Sequence, residues 1–513
     1  MGMPRSVLAF VVGLCALGAF ARPARAEGTP GAAFALIVGS NVSVDTDLAP
    51  LHYADDDAAR YFDLFRLLGM RTALLARVDE PTRKLHAQAA AEAMLPRKGE
   101  FERATAQLAE QVAQARQRGL TTTLYFVFAG HGGVADDRGY VSLEDARLTG
   151  EVLGRDVVAR IGADATHVIV DACDSYLVAY SRGPGGERRP VRDFAHSVYE
   201  LGRDPRVGLL LSTSSANESH EWDAFQAGVF SHEVRSGLYG AADVDGDGAV
   251  TYREMAAFVT RANQAVDNDR YRPRVFARAP SAGDRLLDLR AAHGRLVTVD
   301  GEHAGRYLLE DARGVRLADF HTSKGGAATL LRPAPTGRAF LRRLDDDVEF
   351  VIPPGDDTLS IATLTPETPR VSARGALHES FSRIFSLPFD RAAVLAYVPP
   401  EPPPAEAPAP PAGATRRLVG LGLMGLGAVG VGTGTYFAIS GGTASRPAAG
   451  ASQQDVADYN SRVQTANRGA VVSFVAAGVA GAVGAALYFW PAARGLHAAA
   501  GPGQAFVGYS GAF

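Results

Sequence analysis

The 513 residues carry 52 basic and 56 acidic side chains, a net charge of −4, with 47% hydrophobic and 21% charged residues. The near balance excludes a nucleic-acid binder that works by bulk charge, and the apolar share excludes a mostly disordered chain. At about 150 residues per domain the length suggests two or three domains. Lysine occurs only at Lys84, Lys98 and Lys324, so nearly all positive charge is arginine.

Residues 1–26 read as a secretory signal, with Arg5 near the start, an apolar run Val7–Ala21, and Ala24-Arg25-Ala26 before Glu27. An uncleaved anchor helix is the other reading. Leu14 stands before Cys15 where a lipid-anchor site wants a small residue. The expected mature chain is exported and holds one thiol, Cys173, which cannot form an internal disulfide. Such a thiol is either at work or buried and inert.

Residues 33–280 alternate short β runs (Phe34–Val38, Thr72–Ala76, Thr122–Phe128, His167–Val170, Val207–Ser212) with segments of helical spacing (Ala54–Leu68, Glu100–Arg118, Leu153–Ile161). That alternation predicts an α/β unit, a mostly parallel sheet flanked by helices. Asp55-Asp56-Asp57 falls at a helix start, where acids suit the helix dipole, and reads as capping; substrate contact is the other reading. The run TTTLYFVFAGHGG ends in glycines around His131, and HVIVDACDSYL ends at Asp171-Ala172-Cys173. In a parallel sheet the carboxyl ends of neighbouring strands converge on one edge. His131 and Cys173 then face each other as a catalytic pair: the cysteine is the nucleophile, and the histidine holds it near thiolate and protonates the leaving group. The Gly132 and Cys173 amides are placed to stabilise an oxyanion. By contrast His293-Gly294 has no preceding strand and reads as a turn.

Asp243, Asp245 and Asp247, with Gly248 and Glu254, fit D-x-D-x-D-G-x₅-E, a calcium loop with oxygen ligands at positions 1, 3, 5 and 12. Val229–Tyr239 and Tyr252–Ala262 flank it with helical character. A solvated Asx-rich turn is the competing reading. From 287 to 370, runs such as Arg306–Glu310, Val315–Phe320 and Val348–Ile352 alternate with turns and predict a small β-rich domain. Residues 371–398 suggest a short helix and then an extended segment. A proline-rich linker, 399–415, follows, with eight prolines in 399–411.

The apolar runs 418–439 and 470–490 are each long enough for a membrane span, joined by a loop, 441–468, and followed by a tail, 491–513. Small residues four apart (Gly430 and Gly434; Gly478 and Ala482; Ala480 and Gly484) allow close helix approach. Tyr436, Phe437, Tyr488, Phe489 and Trp490 sit near the span ends. A soluble Gly/Ala-rich helical hairpin is the alternative. Basic residues do not choose a side. With the signal peptide as the guide, the body lies outside the cytoplasm, on the envelope or periplasmic side, and the 441–468 loop inside.

The strand-His-Gly and strand-Asp-x-Cys blocks, in this order after the opening strand ALIVGSN, resemble the caspase-like cysteine peptidases, nearer the metacaspase and bacterial branch. The resemblance spans 33–280. It implies a caspase–haemoglobinase fold and peptide-bond hydrolysis through a thioester, with His131 and Cys173 as the dyad and Gly132 at the oxyanion hole. It also places Asp171 in an acidic pocket for Arg or Lys before the cut bond; a cap on the cysteine turn is the other role open to it. Glu218 and Glu221 read as solvent-facing loop acids before they read as pocket residues. The family usually has glycine where Tyr176 stands. The expectation is thus an exported, membrane-tethered endopeptidase acting on protein or peptide substrates, needing no cofactor for catalysis, with calcium as a ligand and no nucleic-acid partner. The alternative is an inactive, calcium-responsive scaffold on the same fold.

Overall fold

A computed structural model describes residues 31–135, 138–172, 201–212, 221–222, 225–267, 272–333, 337–369, 383–399, 414–489, 496–501 and 504–509. The signal segment 1–26, Cys173, Tyr176, Glu218 and most of the proline-rich linker lie outside them. The chain divides into two compact units, one ending at Pro404 and the other starting at Ala405.

Strand β1 (Gly31–Ser40) opens the central sheet, and helix α1 (Ala54–Leu67) returns from its carboxyl end to the start of β2 (Arg71–Ala76). Two short helices, α2 (Glu80–Leu85) and α3 (Ala87–Glu92), lead to α4 (Lys98–Gln117) and β3 (Thr121–Gly130). A small antiparallel sheet follows, formed by β4 (Gly132–Ala135), β5 (Arg138–Ser142) and β6 (Arg147–Thr149). Helix α5 (Gly150–Leu153) continues as a π-helical turn through Ala159. Then come β7 (Ala165–Asp171) and β8 (Val207–Ser212). A ribbon of β9 (Glu221–Trp222) and β10 (Ala227–Gly228) precedes α6 (Val229–Ser236). Strand β11 (Ala249–Thr251) leads into α7 (Tyr252–Asn263) and then β12 (Val275–Arg278).

The central sheet has the order β12-β8-β7-β3-β1-β2. All its pairs are parallel except β12 with β8. Strand β12 carries only four residues, too short a pattern to stand out in the sequence. The mostly parallel sheet flanked by helices is the fold expected of this segment. Side chains alternate between its two faces, as strand geometry requires. Phe34, Leu36 and Val38 of β1 and Leu124, Phe126 and Phe128 of β3 pack under α4, while Ala35, Ile37, Tyr125 and Val127 pack under α1, α6 and α7.

The β-rich part consists of β13 (Arg285–Asp288), β14 (Leu296–Val299), β15 (Gly305–Asp311), β16 (Arg316–Thr322), β17 (Ala328–Leu331), β18 (Ala339–Arg343), β19 (Val348–Ile352) and β20 (Leu359–Ser360). Its main sheet is antiparallel, in the order β16-β15-β18-β19. It does not have a core of its own. Leu309, Phe320, Leu341 and Phe350 belong to the same buried cluster as Ile37, Phe65, Phe230 and Phe258, so the expected boundary at 280–287 is not a packing boundary. His293 (φ 52) and Gly294 (φ 86) form a left-handed turn. In the segment expected to be helix and then extended chain, the described helix comes late: α8 (Arg391–Ala396), capped by Asp390, whose side chain accepts from the Ala393 amide.

In the second unit α9 (Ala414–Gly442) packs along α10 (Gln453–Phe489). Most of the expected 441–468 loop is therefore helix. Ser452 and Asp455 supply its start, each side chain accepting from the other's backbone N–H, so α10 begins well before its apolar run. The seam is made of small residues. A Cβ on Gly420 would sit 2.8 Å from the Gly484 carbonyl, and one on Gly430 would meet Ala477 at 2.9 Å. Gly478, expected at this seam, has nothing within 4 Å of where its Cβ would be; Gly484, whose Cβ would lie 2.7 Å from the Gly420 carbonyl, takes that role. Val419–Gly442 and Gln453–Phe489 are long and apolar enough to cross a membrane. The expected tail contains a hairpin, β21 (Leu496–Gly501) with β22 (Gln504–Tyr509).

Candidate active site

The site lies at the carboxyl edge of the sheet, where β1, β3 and β7 end. Its scaffold is set by close approaches that only glycine permits. A Cβ on Gly39 would lie 2.3 Å from the Ala54 carbonyl, so the start of α1 rests directly on β1. Asn41 fixes that start: its amide donates to Asp55 at 2.7 Å, and its carbonyl accepts from the Ala54 N–H at 2.8 Å. Gly130 turns the chain at the end of β3, at φ 155, where a Cβ would meet the Ser40 carbonyl at 2.9 Å. His131 follows immediately.

His131 is half-buried, and its carbonyl accepts from the Ser142 N–H at 2.9 Å. Burial pushes its imidazole below the ordinary range, while a hydrogen bond to the backbone of Ala49 and the Asp45 carboxylate oppose the shift. Asp45 is itself held by the Tyr140 hydroxyl at 2.7 Å and by Arg147. The buried Nε2 of His131 has no hydrogen-bond partner among the described residues. An imidazole that is kept neutral and has an unengaged nitrogen suits proton transfer.

Gly132 opens β4 opposite Val141. Since the next residue, Ser142, donates to the His131 carbonyl, Gly132·Val141 is a non-hydrogen-bonded pair of the ladder. The Gly132 N–H therefore points away from β5.

Beside His131 is a cavity of about 50 Å³, lined by Gly130, Asp57, Asp171, Ala172, Glu221 and Gly228, with Leu51 and Ala54 among its apolar walls. Three of these residues are carboxylates, and each is held by a helix start. Asp171, at the end of β7, accepts from the Ser231 N–H in the first turn of α6 at 2.9 Å. Asp57, in the first turn of α1, accepts from the Gly228 N–H at 2.8 Å and lies 3.0 Å from the Arg235 guanidinium. Glu221 accepts from the His52 and Tyr53 amides, at 3.0 and 2.8 Å, just before α1. Burial drives the Asp57 carboxyl up to about 8 against the pull of Arg235 and Arg60, and nearby Asp171 pushes it the same way. Burial also raises Glu221, with Asp171 again adding to the shift. Crowded acids that resist ionisation together are relieved by an incoming cation.

Asp57 and Glu221 are the residues that the sequence reading undervalued. From the sequence, helix capping outweighs substrate contact for the three acids at 55–57, and a solvent-facing loop outweighs a pocket for Glu221. Successive residues on a helix point about 100° apart, so three neighbours cannot all cap it. Asp55 braces the loops through Asn41 and the Asp79 amide, while Asp57 turns into the cavity.

At the second expected site, carboxylate oxygens of Asp243, Asp245 and Asp247 lie within 4.8 Å of one another. Gly248 takes the sharp turn at φ 81, and Asp243 accepts from the Gly246 and Gly248 amides. Glu254 is not in this group. Its carboxylate caps α7, accepting from the Thr251 N–H at 2.9 Å and the Thr251 hydroxyl at 2.8 Å, and also takes the Val244 amide.

Residues 32–279 match the family model described as Caspase domain, and this part of the chain belongs to the caspase-like family of cysteine peptidases. Among solved structures it is similar to the crystal structure of caspase-1 from Spodoptera frugiperda. The identity is 10% and the TM-score 0.31, over 49% of this chain and 88% of that one. It is also similar to pro-sf-caspase-1, at 12% identity and a TM-score of 0.31, over 50% and 89% of the respective chains. No curated protein matches the sequence.

Proposed function

We propose that the protein is a cysteine endopeptidase that cuts after arginine or lysine, with Cys173 as nucleophile and His131 as its acid–base partner. The observation that carries this reading is the cavity beside His131, walled by Asp57, Asp171 and Glu221. The register of the sheet supports the dyad. Ala129 of β3 pairs with Asp171 of β7, and His131 and Cys173 each follow two positions later in the sequence. Ala172, covalently joined to Cys173, lines the cavity.

In this mechanism the side chain before the scissile bond enters the cavity, where its charge meets the three carboxylates. The Cys173 thiol passes its proton to His131, its sulfur attacks the carbonyl carbon, and the oxygen takes up negative charge facing the Gly132 N–H. Collapse of the adduct breaks the C–N bond, and the amine leaves with the proton carried by His131. His131 then takes a proton from water, which attacks the thioester and releases the acid. A peptide electrophile ending in arginine should label Cys173, and both Cys173→Ala and His131→Ala should abolish labelling. Equal labelling by an aspartate-ended reagent would defeat the basic specificity. Absence of any labelling in the folded wild type would favour the inactive scaffold that Tyr176 suggests.

Export and membrane tethering complete the reading. What supports tethering is the length and apolar surface of α9 and α10, on which Leu421, Leu426, Val429, Val472 and Val479 are exposed. Removing 414–489 should shift the protein from the membrane to the soluble fraction; unchanged sedimentation with membranes refutes the tether. Calcium at 243–254 rests on the convergence of three carboxylates, in which burial and the two neighbouring acids raise Asp243. Asp243, Asp245 and Asp247 would hold the ion, with Glu254 remaining the helix cap. A melting temperature unmoved by calcium argues against this site.

A further inference from the structure

At the opposite end of α1 from the cavity lies a second, larger cleft of about 550 Å³, within the usual size range of small-molecule sites. A helix of 14 residues spans about 21 Å, so this cleft sits at the amino edge of the sheet, remote from His131. One wall is the last turn of α1; the other is the β15–β16 turn with Pro333, Gly337 and Arg338.

Its charges do not balance. Four guanidinium groups, of Arg66, Arg295, Arg313 and Arg338, line the cleft with two carboxylates, Asp63 and Asp311. Arg313 engages both acids, lying 2.7 Å from Asp311 and 3.0 Å from Asp63, and Asp63 also takes His86 at 2.8 Å. Half-buried Arg295 donates to the Leu67 and Ala292 carbonyls, at 2.7 and 3.1 Å, and so carries its charge without a carboxylate. Arg66 comes no nearer than 4.0 Å to Glu92, and Arg338 has no ion pair among the described residues. Arg295 and Arg338 therefore have no carboxylate partner among the described residues, and Arg66 has only a distant one. The cleft also has an apolar lining, Leu67 with buried Tyr239, Leu317 and Pro333.

We propose that this cleft binds a small organic anion, a phosphate or carboxylate carried on an apolar body. The anionic group would meet Arg66, Arg295 and Arg338, whose planar forks match either oxyanion. The apolar body would cover Leu67, Leu317 and Tyr239. The inference is independent of the catalytic reading, because none of these residues lines the cavity beside His131.

Phenyl phosphate is the probe, added to the full chain in detergent, with inorganic phosphate alongside. Wild-type protein should bind phenyl phosphate and melt about 2–4 °C higher when saturated. It should bind inorganic phosphate at least about tenfold more weakly, for want of the apolar contact. Arg66 and Arg338 are exposed, so Arg66→Glu with Arg338→Glu leaves the core intact and should weaken phenyl phosphate at least about tenfold, while Arg103→Glu on α4 changes nothing. Absence of binding to the wild type overturns the proposal, as does equal affinity in the double variant. Equal affinity for inorganic phosphate removes the organic ligand class and overturns it as well.

Discussion

Gly228 decides how the acids of the cavity sit. Its backbone angles, φ −62 and ψ 136, suit any residue, so the demand for glycine is spatial. A Cβ there would lie 2.7 Å from an Asp171 oxygen and 3.1 Å from one of Asp57. Gly228→Ala should therefore narrow the cavity and cut kcat/KM on arginine substrates at least about tenfold, a loss of about 1.4 kcal/mol in the transition state, with little change in melting temperature. Unchanged turnover would show that the substrate does not reach these carboxylates. Of the candidate site, His131, Gly132 and Asp171 are legible in the sequence because they stand where an apolar strand run gives way to glycines or a tight turn. Glu221 stands out less there, because its position depends on two amides, of His52 and Tyr53, far away in the chain.

Helix α6 is unusual in burying His232, Glu233 and Arg235 together. Each has a partner from another element. His232 meets Asp319 of β16 at 2.8 Å, Glu233 accepts from Asn263 of α7 at 2.8 Å, and Arg235 pairs with Asp57 of α1. Asp319 is held well below the usual carboxylate range by Arg316 and His232, despite its burial. Asp319→Ala would strip the anion from this cluster and should cost about 3–5 kcal/mol, seen as a large fall in melting temperature. Among the strand elements, His167 bonds the Tyr252 hydroxyl at 2.7 Å, and burial lowers it to about 4; burial lowers His232 to about 4 as well. Between roughly pH 6.5 and 4 the unfolded chain binds protons that these folded imidazoles refuse, so their contribution is present above pH 6.5 and drains away as pH falls. Asp56 and Asp57, raised to about 6 and about 8, act in the opposite sense, so the clean measurement is comparative. The stability gap between wild type and His167→Gln should shrink by about 2 kcal/mol from pH 7 to pH 5. A constant gap would mean that His167 does not titrate in this way. Strands β1, β3, β7 and β8 were legible because buried parallel strands read as apolar runs bounded by glycine or polar residues. The inner half of α10 was not, since its polar face looks like a loop until the Ser452 cap is recognised.

Across the whole first unit, the surface of α6 and α7 that faces away from the central sheet is covered by the β-rich strands and by Ile384, Phe385 and Phe389. A fragment ending at 280 should therefore lack a cooperative thermal transition, whereas 31–399 should melt as one body; a sharp transition in the shorter fragment would contradict this packing. The sequence separates these regions by strand rhythm, but rhythm reports local geometry and says nothing about which hydrophobic faces meet. The shared core also bears on how the protein is made. Between Phe389 and α9 lie only α8 and the proline-rich linker, so synthesis delivers the last pieces of the body shortly before the first membrane-length helix. The α/β half must wait, incomplete, on the ribosome until that moment, and the closing of its core and the emergence of the first membrane-length helix become nearly one event.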